Sequence, residues 1–415
     1  MAQRLKVLIS AYACEPGKGS EPEVGWNWAL QMSRFHDVTV LTRANNRAAI
    51  ERAVAELPRG ADAPRFVYQD LGALFLKLKR TLVGLTPYYI LWQRAARRAI
   101  ATLHKEIGFD LMHHVTFAGY RYPVATSGHG VPAIWGPVGG IRSFASELLP
   151  WGEGSSLFRE TLRSVDNFVQ GSPLHQLRKR ALAHSLVLVS TREMQAELQK
   201  IGVSSRLIPT IGLDTASFAR TVDKQPHSPL RLVFAGQVIT LKGADLAIDA
   251  LAASRTDATL TFIGNGNYID RAAVQVEALG LGERVRFTGR LPRDQVLKQY
   301  SDHDVFLFPS VHDTGSFAVI EAMVNELPVI CLDIGGPPVA VGPGCGIKVI
   351  PGPRAQVVAE LGKAILHYCS NPRAVLNDGA KARTEVVQRY DWNRKGEEMN
   401  KIYLSVCGVD TKQGT

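Results

Sequence analysis

Cysteine is scarce in this chain. Five cysteines are scattered over 415 residues, at positions 14, 331, 345, 369 and 407, and no two of them form a C-x-x-C pair. An odd, dispersed set excludes a disulfide framework and the usual spacing of a structural zinc site, and it fits reduced thiols in a cytoplasm. Long hydrophobic runs are missing too, since none reaches the roughly 18 apolar residues that a membrane-spanning helix needs. The start, MAQRLKVLISAYACEP, carries only a short apolar run with no small-residue cleavage pattern after it. It reads as a buried first strand and not as a secretory leader. A content of 46% apolar and 21% charged residues excludes a disordered chain.

Acidic residues are absent from one whole stretch. Between Leu71 and Lys105 there is no Asp or Glu, whereas Lys77, Lys79, Arg80, Arg94, Arg97, Arg98 and Lys105 alternate with Leu, Phe, Tyr and Trp. A segment of this kind, centred on residues 77–98, suits an anionic membrane surface. Its plainer alternative is a pair of surface helices with solvated charged faces. The net charge of +10 also fits an anionic small substrate or nucleic acid. No nucleic-acid motif accompanies the charge, so nucleic acid is not expected as a partner. The localisation expected is cytoplasmic, peripheral on the inner face of the membrane.

What the chain does have is a repeated order of short apolar strand, Gly-containing turn and amphipathic helix. LKVLIS leads through a Gly/Pro loop into VGWNWALQMSRF, and DVTVLTR follows; RFVYQD, FDLMHHV, PAIWGPVGG and SLVLVST are further strand candidates. A second series starts after residue 210 with RLVFAGQ, ATLTFIGNGN, VRFTGR, VFLFPS and PVICLD, separated by helical patterns. Strands alternating with helices argue for parallel sheets. Two separate starts mean an α/β protein of two Rossmann-like, doubly wound domains. The linker expected is LIPTIGLDTASFARTVDKQPHSP, which places one domain at 1–210 and the other at 211–391, followed by a last helix within about 392–409. Two such domains facing each other leave a cleft lined by the carboxyl ends of their strands, where ligands of open α/β sheets bind.

The loops at those strand ends carry the candidate chemistry. CEPGKGSEPEVGW places Gly17, Gly19 and Ser20 after the first strand, where bare backbone suits a ligand, although a structural Gly/Pro loop would look the same. It is neither G-x-G-x-x-G nor G-x-x-x-x-G-K-[ST], so the dinucleotide and P-loop readings lose their main support. In FAGQVITLKG the strand ends at Gly236 and Gln237, and Lys242 stands just before the next helix. A cation beside a helix amino terminus suits a diphosphate, whereas a lone surface lysine is the common case. Gly264 and Gly266 of FIGNGN permit close backbone approach, or simply turn a strand into a helix.

The stretch HDTGSFAVIEAM sets Asp313 and Glu321 eight positions apart around Gly315, Ser316 and Phe317. A helix starting near Phe317 would aim its first amides at the loop as an anion site. Acids on either side then suit hydroxyls at the two ends of a nucleotide sugar. The alternative is a capping Asp and an ordinary helical Glu.

The stretch PSVHDTGSFAVIEAMVNELPVICLDIGGPPVAVG resembles the donor-binding signature of the group 1 (GT4) family of retaining glycosyltransferases, with Asp313-x7-Glu321 at its E-x7-E motif. The likeness extends to Lys242-Gly243, IGNGN, RVRFTGRLP and YDWNRKGEEMNKIY, and more loosely to the first-strand loop and FDLMHHVTF. It implies the GT-B fold, with an acceptor-binding first domain, a nucleotide-sugar-binding second domain and a terminal helix that packs back on the first. It also implies a transferase that needs neither metal nor other cofactor, its partners a nucleotide sugar and a glycan or lipid-linked hydroxyl acceptor. By the same likeness Glu321 binds the ribose and Asp313 the transferred sugar. The amides of Gly315, Ser316 and Phe317 meet sugar and diphosphate, and Lys242 offsets the leaving charge. Gly236, Gln237, Gly264 and Gly266 would border the donor, and Gly17, Gly19, Ser20, Gly139 and Gly140 the acceptor.

The chain departs from that pattern in three places. Asp313 is one methylene shorter than the family's Glu, Gln237 replaces an Arg, and the family's D-x-x-H-x-H runs here as Asp110, His113, His114 and Val115. Alternation along a strand lets only one of His113 and His114 face a cleft, and His113 is preferred as the catalytic-site histidine. Competing readings are an epimerase or phosphorylase on the same fold and, from charge alone, a basic nucleic-acid binder.

Overall fold

A computed structural model describes residues 4–72, 85–117, 119, 124–139, 148, 182, 184–218 and 225–409. The chain divides into two compact units. Met1–Ile141, Ser155–Thr210 and Trp392–Thr415 form one, and Arg142–Gly154 with Ile211–Asp391 the other.

In the first unit the strands are β1 (Lys6–Ala11), β2 (Asp37–Thr42), β3 (Arg65–Tyr68), β4 (Leu111–Thr116), β5 (Ala133–Val138), β6 (Leu186–Val189) and β7 (Ser205–Leu207). The helices between them are α1 (Ser20–Ser33), α2 (Arg47–Ala55), α3 (Leu85–Ile107) and α4 (Arg192–Lys200). Among the described residues the strands form one sheet in the order 3-2-1-4-5-6-7, every pair parallel. Strands such as VLISA and LMHHVT are buried along nearly their whole length, as expected where both faces of a parallel sheet are covered. The edge strand β7 is too short and polar to be read from periodicity.

Helix α3 holds the described part of the segment 77–98. Its apolar stripe, Tyr88, Tyr89, Trp92, Ala96 and Ile100, lies in the core of the unit with Leu8, Tyr12 and Met112. The Trp92 indole donates to the Gln69 carbonyl at 2.7 Å. That half of the helix is spent on folding, and only the basic half, with Arg94, Arg98 and Lys105, faces solvent. Residues 77–84 lie outside the described residues.

The second unit repeats the plan with β8 (Arg231–Ala235), β9 (Thr259–Ile263), β10 (Val285–Phe287), β11 (Val305–Phe308), β12 (Val329–Leu332) and β13 (Gly346–Val349). Its helices are α5 (Ala244–Ser254), α6 (Ile269–Ala278), α7 (Arg293–Ser301), α8 (Phe317–Val324), α9 (Pro337–Ala340), α10 (Arg354–Ser370) and α11 (Pro372–Arg389). Again all pairs are parallel, in the order 10-9-8-11-12-13. The α/β class and the two Rossmann-like sheets expected from the sequence are therefore present. Each sheet reverses its winding once, between β1 and β4 and between β8 and β11. Such a switch point leaves a crevice at the strands' carboxyl ends.

A final helix, α12 (Trp392–Val406), belongs to the first unit. Its Trp392 ring meets Trp28 of α1 edge-on at 5.4 Å, and its Gly396 lies where a Cβ would come within 2.6 Å of the Gln31 amide oxygen. Between the two tryptophans sits Lys395, only 2% exposed, its ammonium 5.2 Å from the Trp28 ring and donating to the Pro209 carbonyl at 2.5 Å. A buried lysine persists only when paired or bonded in this way.

Candidate functional site

At the switch point of the second sheet, two loops meet. Gly243 adopts a left-handed backbone (φ 74°), and a Cβ there would lie 2.1 Å from the Pro309 carbonyl oxygen. Glycine alone allows this approach. The carbonyl of Leu241 accepts from the amides of Val311 (3.1 Å) and His312 (3.3 Å) and from the Ser310 hydroxyl (3.2 Å). The loop after β8 is thereby fastened to the loop after β11, which brings Lys242 to Asp313.

The Lys242 ammonium stands 2.5 Å from Asp313 Oδ2 and 3.4 Å from the His312 carbonyl. Asp313 Oδ1 accepts from the amides of Gly315 at 3.1 Å and Ser316 at 3.0 Å. Burial alone would push the Asp313 carboxyl up, but the Lys242 charge and the two amides hold it below the usual carboxylate range. The residue is an anion at neutral pH, with 12% of its side chain exposed.

Ser316 precedes α8 in a left-handed conformation (φ 43°), and Phe317 opens the helix. The Ser316 hydroxyl is buried with no hydrogen-bond partner among the described residues. A third loop braces this corner from behind. Gly335 (φ 77°) and Gly336 lie where a Cβ would meet Asp313 and Thr314 backbone at 2.4 and 2.7 Å, and the Gly336 amide donates to the Asp313 carbonyl at 2.8 Å. The sequence signal for this brace is the pair of glycines before two prolines.

Glu321 lies one turn into α8 and pairs with Arg293 at 3.0 Å. Sequence reasoning overlooked Arg293, although a cation at the start of α7 in GRLPRD was its signal. Gly236 and Gln237 are exposed at the end of β8. Gly264 and Gly266 have a packing reason in the fold, since a Cβ at either would lie 1.8 Å from the Gly236 oxygen or 2.1 Å from the Val238 oxygen. Their bare backbone answers a neighbouring chain segment, one of the two readings that the sequence left open.

In the first unit both candidate histidines lie in the interior. His113 and His114 are both 0% exposed. The His113 ring bonds the Tyr403 hydroxyl at 2.6 Å and the Gly136 carbonyl at 2.7 Å, whereas His114 bonds Tyr89 and Ser10, each at 3.2 Å. Burial pushes the first down to about 4 and the second to about 3. Both rings are neutral pillars of β4 with each nitrogen engaged, and neither reaches solvent. Asp110 likewise serves the fold, accepting from the Lys6 amide at 2.7 Å.

The loop after β1 carries Gly17 (φ 67°), Gly19 (φ 69°) and Ser20 (φ 55°). Glu21, which sequence reasoning also overlooked, accepts from the amide of Phe117, another left-handed residue at φ 53°. Burial pushes its carboxyl up. Gly139 forms an isolated bridge with Gly119, and Gly140 lies outside the described residues. Among the described residues no three His, Cys, Asp or Glu side chains stand close enough to hold a metal ion.

Comparison with known proteins follows the same lines. Residues 217–383 match the family model described as glycosyl transferases group 1. The sulfoquinovosyl transferase of Arabidopsis thaliana is 29% identical over 195 residues, 44% of this chain and 36% of that protein. This chain's matches span 36% to 49% of the first curated relatives' lengths. Among solved structures, a sucrose-phosphate synthase from Thermosynechococcus elongatus superimposes with a TM-score of 0.64 at 18% identity, covering 98% of this chain and all of that one. Anabaena HepE, solved in complex with UDP and glucose, gives 0.59 at 17% identity over 97% of this chain and all of that one. The fold is thus shared with these two structures over nearly the whole chain, and the likeness to the group 1 glycosyltransferase model is confined to residues 217–383.

Proposed function

We propose that the protein is a glycosyltransferase that moves a sugar from a nucleoside diphosphate to a hydroxyl acceptor. The observation that carries this reading is the cluster at the β8/β11 switch point, where Lys242, Asp313 and the amides of Gly315 and Ser316 converge before α8. A full positive charge and helix-start amides suit a diphosphate. Glu321, one turn further, suits a ribose diol. The family match over this same unit supports the assignment.

In this reading the acceptor oxygen bonds to the anomeric carbon as the bond from that carbon to the phosphate oxygen breaks. The acceptor proton passes to the departing diphosphate on the same face, so configuration is retained. Lys242 stabilises charge that grows on the leaving group, a preorganised electrostatic role. We assign that role to Lys242 and not to a metal ion, so chelation with EDTA leaves the rate unchanged. The acceptor would be lipid-linked or a growing polysaccharide, approached from an anionic membrane surface through Arg94, Arg98 and Lys105. Because the apolar stripe of α3 is buried, attachment would be electrostatic and lost in salt. Flotation with anionic vesicles tests it, and no binding at low salt rejects it.

A thermal-shift series with UDP, GDP, ADP and their sugars tests the donor site, because a ligand of the folded state raises the melting point. Release of nucleoside diphosphate only when an acceptor is present separates transfer from epimerase or phosphorylase activity. Full donor binding and turnover in both Asp313→Ala and Glu321→Ala would refute the site.

A further inference from the structure

Lys242 and the amides of Gly315 and Ser316, which a diphosphate would need at this corner, share one partner. Asp313 Oδ2 holds Lys242 at 2.5 Å, while Oδ1 holds the Gly315 and Ser316 amides at 3.1 and 3.0 Å. We propose that Asp313 is an internal competitor for the diphosphate, so that the site retains a nucleotide still joined to its sugar and releases the bare nucleoside diphosphate. The inference rests on the donor-site reading given above.

The argument starts from side-chain length. An Asp accepts readily from amides two and three residues ahead of it, closing a turn on its own loop. The longer Glu of the family pattern is poorly sized for that turn. The missing methylene thus brings the carboxylate back onto the amides of its own loop. With 12% of the side chain exposed, a second anion beside an ionised Asp313 is opposed by a weakly screened like charge. Lys242 and Asp313 together are neutral, so the pair attracts a phosphate only when it opens.

A donor sugar supplies what opens it. Its hydroxyls give the carboxylate other donors to accept from, which frees Lys242 and the two amides for the diphosphate. The buried, unpartnered Ser316 hydroxyl stands at the same corner as a further donor. After transfer the sugar hydroxyls leave with the acceptor. Asp313 then has only Lys242 and the amides to return to, and its return displaces the product.

Calorimetric titration of UDP, GDP, ADP, their sugars and inorganic pyrophosphate tests this on the wild type, Asp313→Asn, Asp313→Ser and the double variant Asp313→Asn/Lys242→Gln. Serine keeps a turn-forming acceptor without charge, which guards against a fold defect specific to asparagine; melting curves accompany each titration. Both single variants should bind the nucleoside diphosphate and pyrophosphate about tenfold tighter or more, a gain of about 1.4 kcal/mol. The double variant should lose the gain. A simple loss of loop structure would weaken binding, not strengthen it. Equal or weaker binding by both single variants, or a gain that survives loss of Lys242, overturns the inference. If the wild type binds no nucleoside diphosphate or nucleotide sugar, the donor-site reading falls instead.

Discussion

Replacing Gly243 with alanine strikes the point where the two loops of the second unit are fastened. Two costs add. A non-glycine residue in the left-handed region (here φ 74°, ψ 27°) costs ~1–2 kcal/mol. A Cβ would also stand 2.1 Å from the Pro309 oxygen and 2.6 Å from its carbonyl carbon, so backbone must give way on one side or the other. Gly280, in the same unit, supplies the control, for its φ is 65° and nothing lies within 4 Å of a Cβ built there. Gly280→Ala should therefore cost only that ~1–2 kcal/mol, whereas Gly243→Ala should cost about 3 kcal/mol or more, in the upper range for single substitutions. Because Lys242 adjoins the displaced residue, a shift of about 1 Å should also lower turnover on the order of a hundredfold. Urea unfolding followed by circular dichroism reads the first effect, and nucleoside diphosphate release the second. Equal midpoints for the two variants would show that contact with Pro309 does not constrain the loop.

Further predictions concern the buried polar groups. His113 and His114 are held neutral by burial, so the unfolded chain takes up protons below its ordinary histidine value of roughly 6.5 while the folded chain does not. Their contribution is complete above that pH and declines as pH falls towards about 4; urea midpoints between neutrality and that value should drop, and drop less in His114→Gln. Arg354 binds Asp245 and Asp249, each at 2.7 Å, and Asp245 has 2% of its side chain exposed. Arg354→Leu strands that buried carboxylate and should cost roughly 3–5 kcal/mol, with partial recovery when Asp245→Asn removes the charge; failure of the second change to recover stability would disprove the ionic account.

The alternation of strands and helices made both sheets legible, because burying a parallel strand on two faces demands a continuous apolar run. Strand β7, with Ser205 and Arg206 at its sheet edge, carries no such demand and left no pattern. Where neighbours in sequence act together the capping alternative was legible, as in the Asp313 turn over Gly315 and Ser316. The site was illegible where the sheet order brings distant residues together. Arg293 reaches Glu321 because α7 and α8 flank β11 in sequence, and Gly264 needs its bare backbone because β9 lies beside β8. Which of the two histidines faces a cleft was illegible for a related reason. Strand alternation separates their faces, but both faces of β4 are interior, so facing away from one neighbour means facing another.

The terminal helix has a consequence for the order in which the molecule forms during synthesis. Trp28 and His113 depend for their partners on Trp392 and Tyr403, which leave the ribosome only after every strand of the second sheet. The first unit to be made is therefore the last to be finished. Until then its unfilled surface, aromatic and apolar, is open to other chains, which is the condition under which folding intermediates aggregate. A chain cut after Asp391 should accumulate in the insoluble fraction even though both sheets are complete.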